Sequence, residues 1–161
     1  MRINLLLIDD DPALLSAFSR MITFHFPSIH LTAVDSGVAA LNEVRKQDYD
    51  IVICDLMMPV MDGAMTLAEI RKDNPYLRMY LMTGHPEPEQ AYKATKATGF
   101  IKKPLDRAYF LEFMKRTIQV VSTGKRAASA VMHANQRLSS SMQRYEDVER
   151  LLRTQKLPPS V

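Results

Sequence analysis

The chain lacks tryptophan, low-complexity tracts and any long apolar stretch, and it has one cysteine in 161 residues. Each absence narrows the field. A lone Cys54 excludes an internal disulfide, and no metal-type spacing surrounds it. It sits within the apolar run 51–54 and reads as a buried thiol in a reducing compartment. No apolar run approaches the roughly 18 residues needed to cross a bilayer. Met1-Arg2 leads into only a short strand-like run and then acids, which is not a secretory signal. The expectation is a cytoplasmic protein with no membrane partner. Hydrophobic residues make up 47% of the chain, enough for one ordinary globular domain with an appendage.

What is present is an alternation. Ile3–Ile8 is continuously apolar, as expected of a strand buried on both faces. Asp11-Pro12 then opens a helix, with Asp as N-cap and Pro at its first position. Leu14, Phe18, Ile22 and His25 continue it at helical spacing. A strand over 30–34 follows, then a helix capped by Ser36 with Val38, Leu41 and Val44 on its apolar face. Further strands are expected at 51–54, 79–82 and 100–102, with helices at 64–72 and 89–98 and a last one capped by Asp106. Five strand–helix repeats argue for a parallel sheet covered by helices on both faces.

Polar residues interrupt this pattern where apolar strands stop: Asp9-Asp10-Asp11, Asp55, Thr83 and Lys103-Pro104. In an open parallel sheet the carboxyl ends of the strands line one edge, where ligands bind. One capping acid suffices for the first helix, and Asp11 supplies it, which leaves Asp9 and Asp10 unexplained by capping. Two carboxylates about 4 Å apart repel by roughly 4 kcal/mol at an effective dielectric near 20. Asp9, Asp10 and Asp55 against Lys103 should therefore recruit a cation, and an all-oxygen ligand set favours Mg²⁺ over Zn²⁺. Beside such a cation one carboxylate can attack phosphorus, while Lys103 and the Thr83 hydroxyl hold phosphoryl oxygens.

The stretches Leu-Leu-Leu-Ile-Asp-Asp-Asp-Pro at 5–12, Asp-Leu-Met-Met-Pro-Val-Met-Asp-Gly at 55–63, Leu-Met-Thr-Gly at 81–84 and Gly-Phe-Ile-Lys-Lys-Pro at 99–104 together resemble the receiver domain of two-component response regulators. The resemblance covers about residues 1–121, in the right order. It implies a flavodoxin-like (βα)5 fold with strand order 2-1-3-4-5. It further implies Asp55 as phosphoacceptor and Asp10, Asp55 and the Met57 carbonyl as Mg²⁺ ligands, with Asp9 acting through metal-bound water. Thr83 and Lys103 match the phosphoryl-sensing pair. Phe100 falls at the switch aromatic, and Lys103-Pro104 is a candidate cis bond. The implied partner is a sensor histidine kinase or a histidine phosphotransfer protein, and the implied role is a self-phosphorylating switch rather than a turnover enzyme. Met57 and His85 stand at positions that tune phosphoryl lifetime in that family, and an apolar Met57 cannot steer an attacking water. The stretch between Thr83 and Lys103 is somewhat short for the family.

Residues 122–161 read differently. Ser122-Thr123-Gly124 is a candidate break, and then neither Pro nor Gly occurs over 125–157. Val131, Leu138, Tyr145 and Leu152 recur every seven residues, with Ala127, Ala134 and Val148 near the companion positions. The expectation is a long amphipathic helix ending in a disordered tip. It either pairs with a second copy as a coiled coil or packs on its own domain. Charge follows the same division. Residues 1–121 carry 14 Lys/Arg against 15 Asp/Glu, a net of −1, and residues 122–161 carry 7 against 3, a net of +4. A solvated helix face accounts for the basic tail better than nucleic-acid binding does. Two other functions fit parts of the pattern. The chain could be the receiver part of a larger signalling protein such as a histidine kinase, or a haloacid-dehalogenase-type phosphatase with Asp9 as nucleophile. The latter lacks a later acidic pair and leaves Asp55 unexplained.

Overall fold

The computed structural model describes residues 2–84 and 95–154, with side chains through residue 150. The sequence passes from apolar runs to 3.6-residue periodicity at the capping residues, and the elements change with it. In order they are β1 (Ile3–Ile8), α1 (Pro12–His25), β2 (Ile29–Val34), α2 (Gly37–Lys46), β3 (Ile51–Asp55), α3 (Gly63–Asp73), β4 (Arg78–Thr83), β5 (Gly99–Lys102) and α4 (Arg107–Thr154). The helix expected over 89–98 falls largely outside the described residues, as does His85. The three caps form as the side-chain chemistry dictates. Asp11 Oδ1 accepts the Ala13 and Leu14 N–H groups, Ser36 Oγ accepts Ala39 N–H, and Asp106 Oδ1 accepts Tyr109 N–H.

The strands form one parallel sheet of order β2-β1-β3-β4-β5. Alternate residues of the central strands enter opposite layers. Leu5, Leu7, Ile51, Ile53 and Tyr80 pack with Phe18 and Ile22 of α1 and with Phe110 and Met114 of α4. Leu6, Ile8, Val52, Cys54 and Leu81 pack with Ala40 of α2 and with Leu67 and Ile70 of α3. Edge-to-face ring pairs, Phe18 with Phe110 and Tyr80 with Phe113, tie α1, β4 and α4 into the first layer. At about 1.5–3 kcal/mol for each fully buried large aliphatic side chain, these two layers dominate the stability of the unit.

The chain divides into two compact units, residues 1–121 and 122–161. The unit boundary falls at the candidate break Ser122-Thr123-Gly124, but the helix is not interrupted there: α4 runs on to Thr154. Gly124 keeps a negative φ. One glycine costs only about 1 kcal/mol in a helix interior, too little to end a helix flanked by good helix formers with no proline. Among the described residues no helix is long and apolar enough to cross a membrane.

Candidate functional site

Four strand ends bring the polar residues together. β1 stops at Ile8 and delivers Asp9 and Asp10, while Asp55 is the last residue of β3 and Thr83 the last of β4. Lys103 follows β5 directly. The ladder sets the heights, because Asp55 lies opposite Met82 and Thr83 opposite Lys102. One further backbone bond, Lys103 N–H to the Thr83 carbonyl at 2.8 Å, extends that pairing past the end of the strand. The Lys103-Pro104 peptide is cis.

Asp9, Asp55 and Thr83 are buried, while Asp10 is exposed. Carboxylate oxygens of Asp9, Asp10 and Asp55 lie within 4.8 Å of one another. Lys103 Nζ stands 2.9 Å from Asp9 Oδ2 and 2.7 Å from Asp55 Oδ1. Both ion pairs fall to Lys103, not to its neighbour Lys102. The other Asp9 oxygen accepts Asp11 N–H at 2.9 Å, which fixes the carboxylate plane. One ammonium against three carboxylates leaves the cluster negative. Converging, partly exposed oxygen donors of this kind suit a hard divalent cation.

Burial drives the protonation of the site. It raises the Asp55 pKa, and Lys103 only partly offsets this, with Asp9 and Asp10 adding to the rise. Burial also pulls Lys103 down, but its hydrogen bonds to Asp55 and Asp9 outweigh that, so the ammonium is held above its ordinary value. The Cys54 thiol is pushed well up by burial and by the charges of Asp55 and Asp9. It stays protonated, and its Sγ lies 3.2 Å from the Asp55 carbonyl oxygen, to which it donates. That makes it a packing residue with no nucleophilic use.

The loop after Asp55 is built around two backbone constraints. A Cβ on Gly63 would lie 2.0 Å from the Asp55 carbonyl oxygen, so only glycine lets α3 begin this close to the strand end. Gly63 N–H donates to the Leu56 carbonyl at 2.9 Å, and Asp62 caps α3 through Met65 N–H at 2.7 Å. Between them Val60 has φ 69°. Met61 N–H donates to the Pro59 carbonyl at 2.8 Å, an i to i+2 bond that closes a γ-turn of the rare, strained form. Asp62-Gly63 is a turn-forming pair. Nothing in a valine signalled the strained residue. Met57 is exposed on the same loop, and Phe100 is half exposed on β5 opposite Leu81.

The response regulator receiver domain is the family whose sequence model matches this chain, over residues 5–115. The chain belongs to that family. Among curated proteins, the receiver is 36% identical over 106 residues to the transcriptional regulatory protein ZraR of Escherichia coli, covering 65% of this chain and 24% of that one. It is 34% identical over 118 residues to the response regulator protein FleR of Pseudomonas aeruginosa, covering 72% of this chain and 24% of that one. The chain thus spans about a quarter of the length of these relatives. Among solved structures, the chemotaxis protein CheY4 of Vibrio cholerae matches with a TM-score of 0.67 at 25% identity, covering 73% of this chain and 99% of that one. A receiver domain protein of Methanospirillum hungatei matches in fold with a TM-score of 0.70 at 20% identity, covering 77% of this chain and 99% of that one. The flavodoxin-like fold with order 2-1-3-4-5 and a C-terminal helix is therefore that of a two-component receiver. Domains of this family are phosphorylated by histidine kinases and bind Mg²⁺ at an acidic cluster.

Proposed function

We propose that this receiver takes a phosphoryl group from a phospho-histidine donor onto Asp55, the donor being a sensor histidine kinase or a histidine phosphotransfer protein. The observation that carries the reading is Lys103 Nζ seated between Asp9 and Asp55, at 2.9 and 2.7 Å. An Asp55 carboxylate oxygen attacks phosphorus as the P–N bond to imidazole breaks, and the departing imidazole takes a proton. Lys103 turns from the carboxylates toward the phosphoryl oxygens, and the Thr83 hydroxyl donates to another of them. Asp10, Asp55 and the Met57 carbonyl would hold Mg²⁺, with Asp9 assisting through water; bound there, the ion would supply positive charge to the transferring phosphoryl group. Drawing Thr83 inward frees space that the half-exposed Phe100 ring enters, which shifts the population of two conformations.

Met57 bears on how long the acyl phosphate lasts. Its exposed thioether offers water no useful hydrogen bond, so hydrolysis is slow. Met57→Asn changes the decay rate, and an unchanged rate in a decay assay removes Met57 from the account. The tail carries output by joining a second copy through α4. A second reading, in which residues 1–121 serve as the receiver module of a longer signalling protein, is favoured by the quarter-length coverage of the relatives.

The test uses acetyl phosphate and Mg²⁺, followed by mapping of the acyl phosphate. Label on Asp55, lost in Asp55→Asn and without Mg²⁺, is expected. Label on Asp9 instead would overturn the assignment and revive the phosphatase chemistry.

A further inference from the structure

Along the second unit, apolar side chains at heptad spacing are exposed among the described residues. Val131, Leu138, Tyr145 and Val148 are each more than half exposed, and every described residue over 126–150 is exposed. Val131, Leu138 and Tyr145 occupy the first seam position of successive heptads. Ala127, Ala134, Ser141 and Val148 occupy the second. The helix gains little by standing alone. Gly124 weakens its interior by about 1 kcal/mol relative to alanine. Its stability must come from whatever covers the seam.

We infer that the occupant is a second copy of this chain, and that the two helices run parallel and in register. This deepens the pairing named above by fixing its face and direction, which the flanking charges decide. Next to the seam on one side stand Arg137 and Arg144, and on the other Met142 and Glu149. In a parallel pair each Arg144 faces Glu149 of the second copy, twice by symmetry, and Arg137 lies along the apolar Met142. Now reverse one helix and keep the seam matched, with Val131 opposite Val148 of the second copy and Leu138 opposite Ser141. Arg137 then faces Arg144 of the second copy, again twice. The apolar layers tolerate both directions, and in this register the charges favour the parallel one. Ala127, Ala134 and Ser141 at the second seam position let the helices approach closely. The charge pattern also limits partner choice. No acid occurs over 125–145, so a basic helix of another protein would be repelled along most of the seam, and only the acids at 146–149 admit Arg144.

The full chain, unphosphorylated, supplies the test. Sedimentation equilibrium should show a dimer at concentrations of about 10–100 μM, the range of a modest interface. Leu138→Asp should be monomeric while still accepting acetyl phosphate on Asp55, so loss of pairing is read apart from loss of the phosphoacceptor reading. Mild oxidation fixes direction. Val131→Cys and Val148→Cys should each cross-link to themselves, with the buried native Cys54 unreactive in the wild-type control. Glu149→Arg should weaken the dimer about tenfold, and Arg144→Glu combined with Glu149→Arg should restore it. A wild-type monomer at the highest concentration overturns the inference. So does cross-linking only in a mixture of Val131→Cys with Val148→Cys, which marks an antiparallel pair.

Discussion

The two units break the rule of apolar inside and charge outside in opposite directions. In residues 1–121, Asp9 and Asp55 are buried beside Lys103 at the end of a sheet whose β3 is buried along its whole length. Beyond residue 121, valine, leucine and tyrosine side chains stand in water along a helix. Each violation costs free energy in the isolated chain, and each marks where a ligand belongs. A desolvated negative cluster is relieved by a bound cation. An uncovered heptad seam is relieved by another helix. On the proposed function, the charge cluster of the receiver and the seam of the tail are two kinds of unfinished interaction.

That contrast can be broken most forcefully at Lys103. Lys103→Met leaves two buried carboxylates uncompensated and should destabilise the metal-free protein by about 3–5 kcal/mol in urea unfolding. Added Mg²⁺ should recover part of the loss, and no loss at all would mean the cluster is not held by its ammonium. Gly63→Ala comes next. The new Cβ meets the Asp55 backbone at 2.0 Å, and neither side can yield as a flexible side chain would. A loss of about 1–3 kcal/mol is expected, with slower labelling by acetyl phosphate because Asp55 itself is displaced. The same exchange at Gly124 meets no atom within 4 Å and should stabilise the tail, by about 1 kcal/mol of helix propensity.

Removing the strain at Val60 should act in the other direction. Its side chain is 99% exposed and holds nothing in place, while its φ of 69° suits glycine. Val60→Gly is expected to raise stability by about 1 kcal/mol in the same assay, the relieved strain exceeding the added chain entropy. A fall would mean the γ-turn is held by contacts the valine makes.

The pH dependence isolates the buried charge. Burial raises the Asp55 pKa, so its neutral form is favoured by folding. That contribution is present below the ordinary carboxylate range and is lost as pH climbs through the raised value. Without divalent cation, Asp55→Asn should match wild type near about pH 3 and exceed it near about pH 7. The opposite sign at neutral pH would show that Lys103 outweighs desolvation. The smallest effect is expected on the surface. Arg116 Nε lies 3.0 Å from Glu112, both exposed, and Arg116→Ala should change stability by less than about 0.5 kcal/mol.

Much of this was legible in the chain itself, for physical reasons that are local. The caps at Asp11, Ser36 and Asp106 need only a side-chain oxygen and three following residues. The strands needed only continuous apolar runs. Excess acids at Asp9 and Asp10, beyond what a cap requires, exposed the site, because clustered charge is too costly to be incidental. Ser122-Thr123-Gly124 stands at the unit boundary but does not interrupt α4, for an equally local reason. Three weak helix formers do not outweigh the turns on either side.

The sequence by itself determined the alternating elements, the acids and the lysine at the strand ends, and the seven-residue seam of the tail. Those follow from short-range hydrogen bonding and from the periods of strand and helix. The tertiary structure supplied the contacts of Lys103, which the sequence had already singled out over Lys102: its ammonium reaches both Asp9 and Asp55, because one residue of register turns a side chain to the other face of the sheet. It also decided that Gly63 must lie against the Asp55 carbonyl, and that Val60 carries a left-handed turn. Each of these depends on where β1, β3, β4 and β5 end relative to one another. Only the assembled sheet sets those heights.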